Sequence, residues 1–208
     1  MRARDVMSTD LVTVKPSTSA KQAAKLMVDN GFTTLPVVGA DGRMVGVVTE
    51  IDLLRDRIGV DPRALIHPDW PVHAVGHAVA RTVDAVMTTE VLTRGPNADA
   101  AQLARDMLDH HLRTIPIEDE GKLVGIVTRR DLLRTVARDD ETIVRDVRRH
   151  LCRAFRRGDW SASVVDGVAT LIDDYDNAAD RHIAEVIAGA VPGVLEVHVR
   201  ARSNAVVP

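Results

Sequence analysis

The chain has 208 residues, 45% of them hydrophobic and 27% charged, and a formal charge of −3, the balance of a soluble globular protein with room for one large or two modest domains. That charge gives no global reason to bind nucleic acid, and Cys152, the only cysteine, excludes an intrachain disulfide and a cysteine-cluster zinc site. The start Met1-Arg2-Ala3-Arg4-Asp5-Val6 contains no apolar leader core and no stretch approaches about eighteen uninterrupted apolar residues, so the expected setting is a reducing cytoplasm.

Taken in order, Leu11 to Val14 reads as a short strand closed by Pro16, and Ser17 to Ser19 offers caps to a helix running to Asn30 and ended by Gly31. Leu35-Pro36-Val37-Val38 reads as a second strand and Asp41-Gly42 as a turn. Met44 to Thr49 reads as a third strand that enters a short helix. The order is β-α-β-β-α over residues 1–60.

A connector over 61–82 holds Pro62, Pro68 and Pro71 with His67, His73 and His77. The prolines oppose the helical spacing that would converge the histidines on a metal, and no carboxylate pattern completes a site, so a polar linker is expected and no metal.

Over 83–138 the first pattern returns. Val6-Met7-Ser8-Thr9 recurs as Val86-Met87-Thr88-Thr89, and Gly46-Val47-Val48-Thr49-Glu50-Ile51-Asp52-Leu53-Leu54 recurs as Gly125-Ile126-Val127-Thr128-Arg129-Arg130-Asp131-Leu132-Leu133, at an offset of about 80 residues with one residue lost in the hairpin. Strands near Val91 to Arg94, Thr114 to Glu118 and Lys122 to Thr128, with helices near Ala98 to His110 and Arg129 to Ala137, repeat the first order. Each copy is small for a core of its own, so the two are expected to pack around a pseudo-two-fold axis with matched clefts between them.

The remaining unit, 141–202, reads α-β-β-α-β. Its first helix places Ile143, Val147, Leu151 and Phe155 in one apolar stripe, while Arg145, Arg148, Arg149, Arg153, Arg156 and Arg157 occupy other faces. The stripe is needed to close the small sheet, so the arginines are expected to face water and Cys152 to be inert packing beside the stripe. A basic helix of this kind also suits anionic lipid or nucleic acid. Asp166-Gly167 is a two-residue hairpin turn, and a helix from Asn177 to Ala190, the Pro192-Gly193 turn and a strand from Val194 to Val199 complete the unit.

Thr49-x-x-Asp52 and Thr128-x-x-Asp131 each sit where a strand runs into a helix. They fit a capping box, and equally a ligand site in which N–H groups and a hydroxyl meet phosphate while the carboxylate accepts from ribose hydroxyls. Duplication does not separate the two, because a duplicated cap is still a cap.

The ordered, twice-repeated elements, Val-Met, strand, helix, Leu35-Pro36-Val37-Val38 or Ile115-Pro116-Ile117, then Gly-hydrophobic-Val-Thr-x-x-Asp-Leu-Leu, resemble the tandem CBS-domain pair, or Bateman module. The resemblance covers about residues 1–137. It implies an α+β fold of two paired repeats that bind an adenine nucleotide or related adenosyl compound in the clefts between them, with Thr49 and Asp52 at one site and Thr128 and Asp131 at the other. Thr13 and Thr93 match family contacts to base or sugar, and Val37 and Ile117 are candidate adenine walls that on residue type are core.

A basic residue three positions before the second-strand proline meets phosphate in the family. That position holds Arg113 in the second copy and Thr33 in the first, so the sites are expected to be unequal, with Arg113, Arg129 and Arg130 lending positive charge to the second motif. The resemblance also implies a homodimer.

The C-terminal unit resembles a BON domain through Asp166-Gly167-Val168, Leu171 and Pro192-Gly193-Val194, and departs from it where Asp173-Asp174 replaces a glycine. The resemblance implies phospholipid or membrane attachment, usually outside the cytoplasm; with no export signal in this chain, docking to a protein partner or a ligand-response role is the other expectation. The chain lacks a nucleophile elbow, a phosphate loop with its lysine, a zinc-binding helix motif and suitably spaced paired acids, so no enzyme and no required cofactor is expected. The leading reading is a regulatory sensor of an adenosyl ligand. The alternative is a structural adaptor or membrane-surface protein in which both Thr-x-x-Asp motifs only cap helices.

Overall fold

In the computed structural model, residues 1–55, 57, 58, 63, 80–155, 160–174 and 177–202 are described. The histidines and prolines noted in the connector, along with Arg156 and Arg157, lie outside them. The described chain forms two compact units: Ser8–Pro96 with Arg113–Ile126, and Met1–Met7 with Asn97–Leu112 and Val127–Pro208. These units do not coincide with the sequence repeats.

In the first of these units, α1 (Ala20–Asn30) starts at a full capping box. Ser19 accepts from the Gln22 N–H at 3.1 Å and the Gln22 side chain takes the Ser19 N–H, while Gly31 closes the helix at φ 67°. The antiparallel hairpin β1 (Thr34–Val38) and β2 (Met44–Thr49) runs in register from Thr34 opposite Thr49 to Val37 opposite Gly46, then shifts before Val38. The short α2 (Glu50–Leu54) follows. Val14, Ala23, Met27, Leu35, Val37 and Val48 form the core, and Val86 and Met87 of the second copy pack against it.

The expected first strand of each copy is corrected to a single parallel bridge, Val14 with Val37 and Arg94 with Ile117. Pro16 and Pro96 stand two residues on, and a residue without an N–H cannot extend the ladder.

Within this unit the copies meet by symmetry. Thr34 and Thr114, equivalent in the repeat, hydrogen-bond through their hydroxyls at 3.4 Å, which puts the pseudo-two-fold axis between them. Thr88 exchanges both backbone bonds with Val47 at 2.9 Å, and Ser8 does the same with Ile126, Val47's counterpart, at 2.9 and 3.0 Å. Each copy therefore supplies the edge residue that extends the other's hairpin.

The same exchange governs the segments that open the copies. Val83 donates to the Thr18 carbonyl and Ala20 to that of Arg81, while in the other unit Ala3 donates to Ala98 and Ala100 to Met1. Ala3 and Val83, equivalent positions, are both fully buried.

That other unit holds α3 (Ala100–Asp109), α4 (Arg129–Val136) and the C-terminal domain. The strands β3 (Thr114–Asp119) and β4 (Lys122–Thr128) that precede α4 pair as a second two-stranded sheet. In the C-terminal domain α5 (Asp140–Ala154) and α6 (Ala178–Gly189) cover one face of a three-stranded sheet ordered β5 (Trp160–Val165), β6 (Val168–Asp173), β7 (Glu196–Ala201), with β5 antiparallel and β7 parallel to β6. The core is Ile143, Val147, Leu151, Ala162, Leu171 and Ala184 with their neighbours. Both turn residues of the hairpin are left-handed, Asp166 at φ 49° and Gly167 at φ 77°, and their N–H groups donate to the Asp140 carboxylate at 2.7 and 3.0 Å. The helix start thus holds the hairpin turn.

Two details of α5 differ from expectation. The helix ends at Ala154, so Phe155 joins the apolar stripe from extended backbone, packing against the same core with its ring centroid 5.3 Å from that of Trp160. Cys152 is exposed rather than packed, since Leu151 takes the inward position beside it.

Asp173, in place of the glycine, is buried and accepts the Asn177 N–H at 2.8 Å and an ion pair from Arg181, fixing the entry to α6. The arginines of α5, Arg145, Arg148, Arg149 and Arg153, are exposed as expected, and three of them also hydrogen-bond within the domain. Arg148 donates to the Ala162 carbonyl at 2.6 Å, Arg145 to Glu141 and Thr142, and Arg149 to Asp146.

Asp146 is also paired with Arg138, and that hydrogen bond, with the charges of Arg149, Arg138 and His150, holds its carboxyl below the ordinary value of 3.8 despite partial burial. A depressed carboxylate contributes stability above its ordinary pKa and loses it as pH falls through the folded value. Wild type is therefore expected to lose stability below about pH 4 more steeply than Asp146→Asn. Urea midpoints at pH 5 and pH 3 check this; parallel losses in the two proteins would exclude it.

Candidate functional site

Thr49 ends β2 and opens α2. Its Oγ1 donates to Asp52 Oδ2 at 2.7 Å, its N–H donates to the same oxygen at 2.9 Å, and the Asp52 N–H returns to Oγ1 at 3.4 Å. Thr128 and Asp131 reproduce this at 2.6, 2.9 and 3.2 Å. Both motifs are complete capping boxes, so one carboxylate oxygen of each aspartate is committed to its own helix.

The remaining oxygens differ. Asp131 Oδ1 accepts from Arg134 at 3.2 Å and the residue is 8% exposed, whereas Asp52 Oδ1 has no partner among the described residues. The first motif keeps a free acceptor pair; the second shares its own with a guanidinium.

Thr13, Thr49, Asp52, Thr93 and Arg113 belong to one compact unit, and Thr128, Arg130 and Asp131 to the other. Thr13 is exposed and Thr93 half-buried, each one residue before the bridge that anchors its segment. Arg130 is exposed on α4. Val37 and Ile117 are fully buried, so both serve as core.

Arg113 departs from the sequence expectation. Its guanidinium pairs with Glu50, the first residue of α2, so its charge lies beside the first motif. The pair remains exposed, at 60% and 39% for the two side chains, leaving the guanidinium within reach of solvent and of an anion. Arg129 is exposed at the start of α4 and engages backbone carbonyls. Its Nε donates to the Leu112 carbonyl at 2.7 Å and its Nη2 to the Met107 carbonyl at 3.1 Å, satisfying the backbone at the end of α3. For the ion pair the sequence did carry a signal, because Glu50 and Arg113 are oppositely charged and both stand at positions where the copies disagree, yet only the fold brings them together.

The CBS-domain family model matches residues 3–59 and 83–138, and the BON-domain model matches residues 139–204. The CBS domain-containing protein YhcV of Bacillus subtilis is 32% identical over 130 residues, which cover 62% of this chain and 81% of that protein. The chloroplastic CBS domain-containing protein CBSX1 of Arabidopsis thaliana is 33% identical over 138 residues, covering 60% of this chain and 58% of its own length. A homoserine O-acetyltransferase of Methanosalsum zhilinae is 30% identical, but the match spans 21% of that enzyme. The chain thus spans less than two thirds of several curated relatives that it matches.

Among solved structures, CBSX2 in complex with AMP aligns with a TM-score of 0.52 and 32% identity over 64% of this chain and 93% of that one. An uncharacterized conserved protein from Pyrococcus horikoshii aligns with a TM-score of 0.52 and 33% identity over 66% and 93%.

Proposed function

Because the chain belongs to the CBS-domain family, as two CBS repeats followed by a BON domain, we propose that it is a non-catalytic cytoplasmic sensor of an adenosyl ligand, AMP foremost, whose BON domain docks or localises the response. The carrying observation is an Asp52 Oδ1 that has no partner among the described residues, next to the capped Thr49, together with the exposed Arg113 guanidinium, an acceptor for ribose hydroxyls and a cation for phosphate within one compact unit. AMP in the related CBSX2 structure supports the choice of ligand. Thr13 and Thr93 add contacts to base or sugar from the same unit, and Thr128, Arg130 and Asp131 carry the second motif.

The expected inequality acquires a different physical basis. Arg113 serves the first motif, where phosphate must displace or share Glu50, and Arg134 competes for Asp131 at the second. Ligand binding shifts the balance between packings of the repeats by no more than its difference in affinity for them. A homodimer through the CBS helices is supported by apolar residues left exposed at equivalent positions, Val28 with Leu108 at 82% and 69%, and Leu54 with Leu133 at 55% and 65%. Among the described residues no helix is long and apolar enough to cross a membrane.

The closed capping boxes favour a second reading, an adaptor with no nucleotide. Titration calorimetry of the full chain with AMP, ADP, ATP and adenosylmethionine separates the two. Asp52→Asn retains an acceptor for the cap, so it is expected to cost under about 1 kcal/mol of stability while weakening AMP tenfold or more. If no adenosyl compound binds, the adaptor reading stands.

A further inference from the structure

The BON sheet ends on β7, which among the described residues pairs with β6 alone. Its outer edge over Glu196–Ala201 leaves backbone N–H and C=O groups unpaired, a condition that protein edges usually guard against with proline, lysine, a bulge or a cover. None of the first three is present: the strand reads Glu-Val-His-Val-Arg-Ala, and its register with β6 is unbroken.

The strand is also its own complement. Reversed about His198, Glu196 falls opposite Arg200, Val197 opposite Val199, and His198 opposite itself. Exposure alternates along β7, with Glu196, His198 and Arg200 exposed and Val197 and Val199 half-buried toward the helical side. Glu196 is 62% exposed with Oε1 3.6 Å from Nε2 of His198 on the same strand, and Arg200 makes no ion pair among the described residues. Extending the same register outward brings Leu195, 67% exposed, opposite Ala201. On the helical side, Ala178, Arg181, His182 and Glu185 of α6 border a groove of about 410 Å³ along β7, against which a second strand's valines would lie.

We infer that β7 pairs antiparallel with β7 of a second copy, joining two BON sheets into one six-stranded sheet about a two-fold axis through His198. Such an isologous contact makes every pair twice, so Glu196 meets the partner's Arg200 and Arg200 meets the partner's Glu196. Opposite charges facing across an antiparallel pair stabilise it, and like charges oppose it. This inference stands on the strand alone and is independent of nucleotide binding.

Sedimentation velocity of the full chain tests it. The parent protein for the test is wild type at β7 and carries Leu54→Asp and Leu133→Asp, which remove exposed apolar residues of the CBS helices so that β7 is the contact that sets the mass. Glu196→Arg and Arg200→Glu each put like charges opposite one another at two points, and each is expected to halve the mass seen for the protein that is wild type at β7. Mixing the two single variants supplies each with the charge it lacks and restores the larger species, as does the double exchange Glu196→Arg/Arg200→Glu. Both residues are exposed, so unchanged circular dichroism and melting show that the variants fold. A single variant that keeps the parent's mass, or a mixture that fails to regain it, overturns the inference.

Discussion

Gly46→Ala is expected to lose about 2 to 4 kcal/mol of stability and to melt on the order of 10 °C below wild type. A Cβ at position 46 would stand 2.6 Å from the Thr88 carbonyl oxygen and 3.3 Å from the Met87 sulfur. The first of these is backbone and is held by the paired bonds between Val47 and Thr88, so no rotamer change relieves the contact. The added methyl either strains β2 or separates the second copy's segment from the first copy's hairpin, with loss of two backbone hydrogen bonds and of the packing of Val86 and Met87. Gly95→Ala is the control, because its Cβ would meet only the Glu118 carbonyl at an ordinary 3.9 Å and is expected to change stability by less than about 0.5 kcal/mol. Thermal melts of both variants decide the matter; if they coincide, close backbone approach is not what requires glycine at 46.

Gly193→Ala is expected to loosen the joint between α4 and the BON domain by about 2 to 4 kcal/mol. Gly193 sits at φ 94°, and a Cβ there would lie 2.7 Å from Ile143 Cδ1 and 3.0 Å from the Thr135 carbonyl oxygen. The isoleucine tip has room to rotate only within a packed core, and the carbonyl belongs to α4. On the same turn the Pro192 carbonyl accepts from Arg138 at 2.5 Å, and Arg138 also pairs with Asp146 on α5. One short segment thus ties the end of the second repeat to both the last turn and the first helix of the BON domain. Hydrogen exchange reads the effect locally: amides of α5 and β6 are expected to exchange faster in the variant while those of β1 and β2 keep their wild-type rates. Uniform acceleration, or none, would refute a local joint.

What the sequence made legible was local. The Ser19 cap and Gly31 stop of α1, the Asp166-Gly167 turn and both Thr-x-x-Asp capping boxes follow from residue type at fixed spacing, and each is present. The pairing of the repeats was legible from duplication, but which edge each opening segment would join was not. Both hairpins offer similar edges to Ser8 and Thr88, and periodicity carries no information that sends each to the opposite copy.

The site was legible in its residue types and less so in its partners. Arg113 was assigned to the second motif because it belongs to the second copy, whereas its ion pair with Glu50 crosses between copies. Arg129 reads as free charge in the sequence and instead satisfies the carbonyls of Met107 in α3 and of Leu112 just beyond it. Cys152 adjoined an apolar stripe, yet neighbouring positions on a helix point about 100° apart, and Leu151 holds the inward one.

The exchanged openings of the two repeats set the order in which the chain becomes a structure. The Met1 carbonyl finds its donor at Ala100, and Ala3 finds its acceptor at Ala98. At synthesis rates of about 5 to 20 residues per second, residues 1–3 wait roughly 5 to 20 s for the partners that bury them. The first repeat meanwhile lacks Val83, Val86 and Met87, which complete its core. Each repeat draws part of its packing from the other, so a gene cut between them would encode two halves that each lack a piece of the other. The duplication is therefore bound to stay a pair, held together by its threading as well as by any ligand.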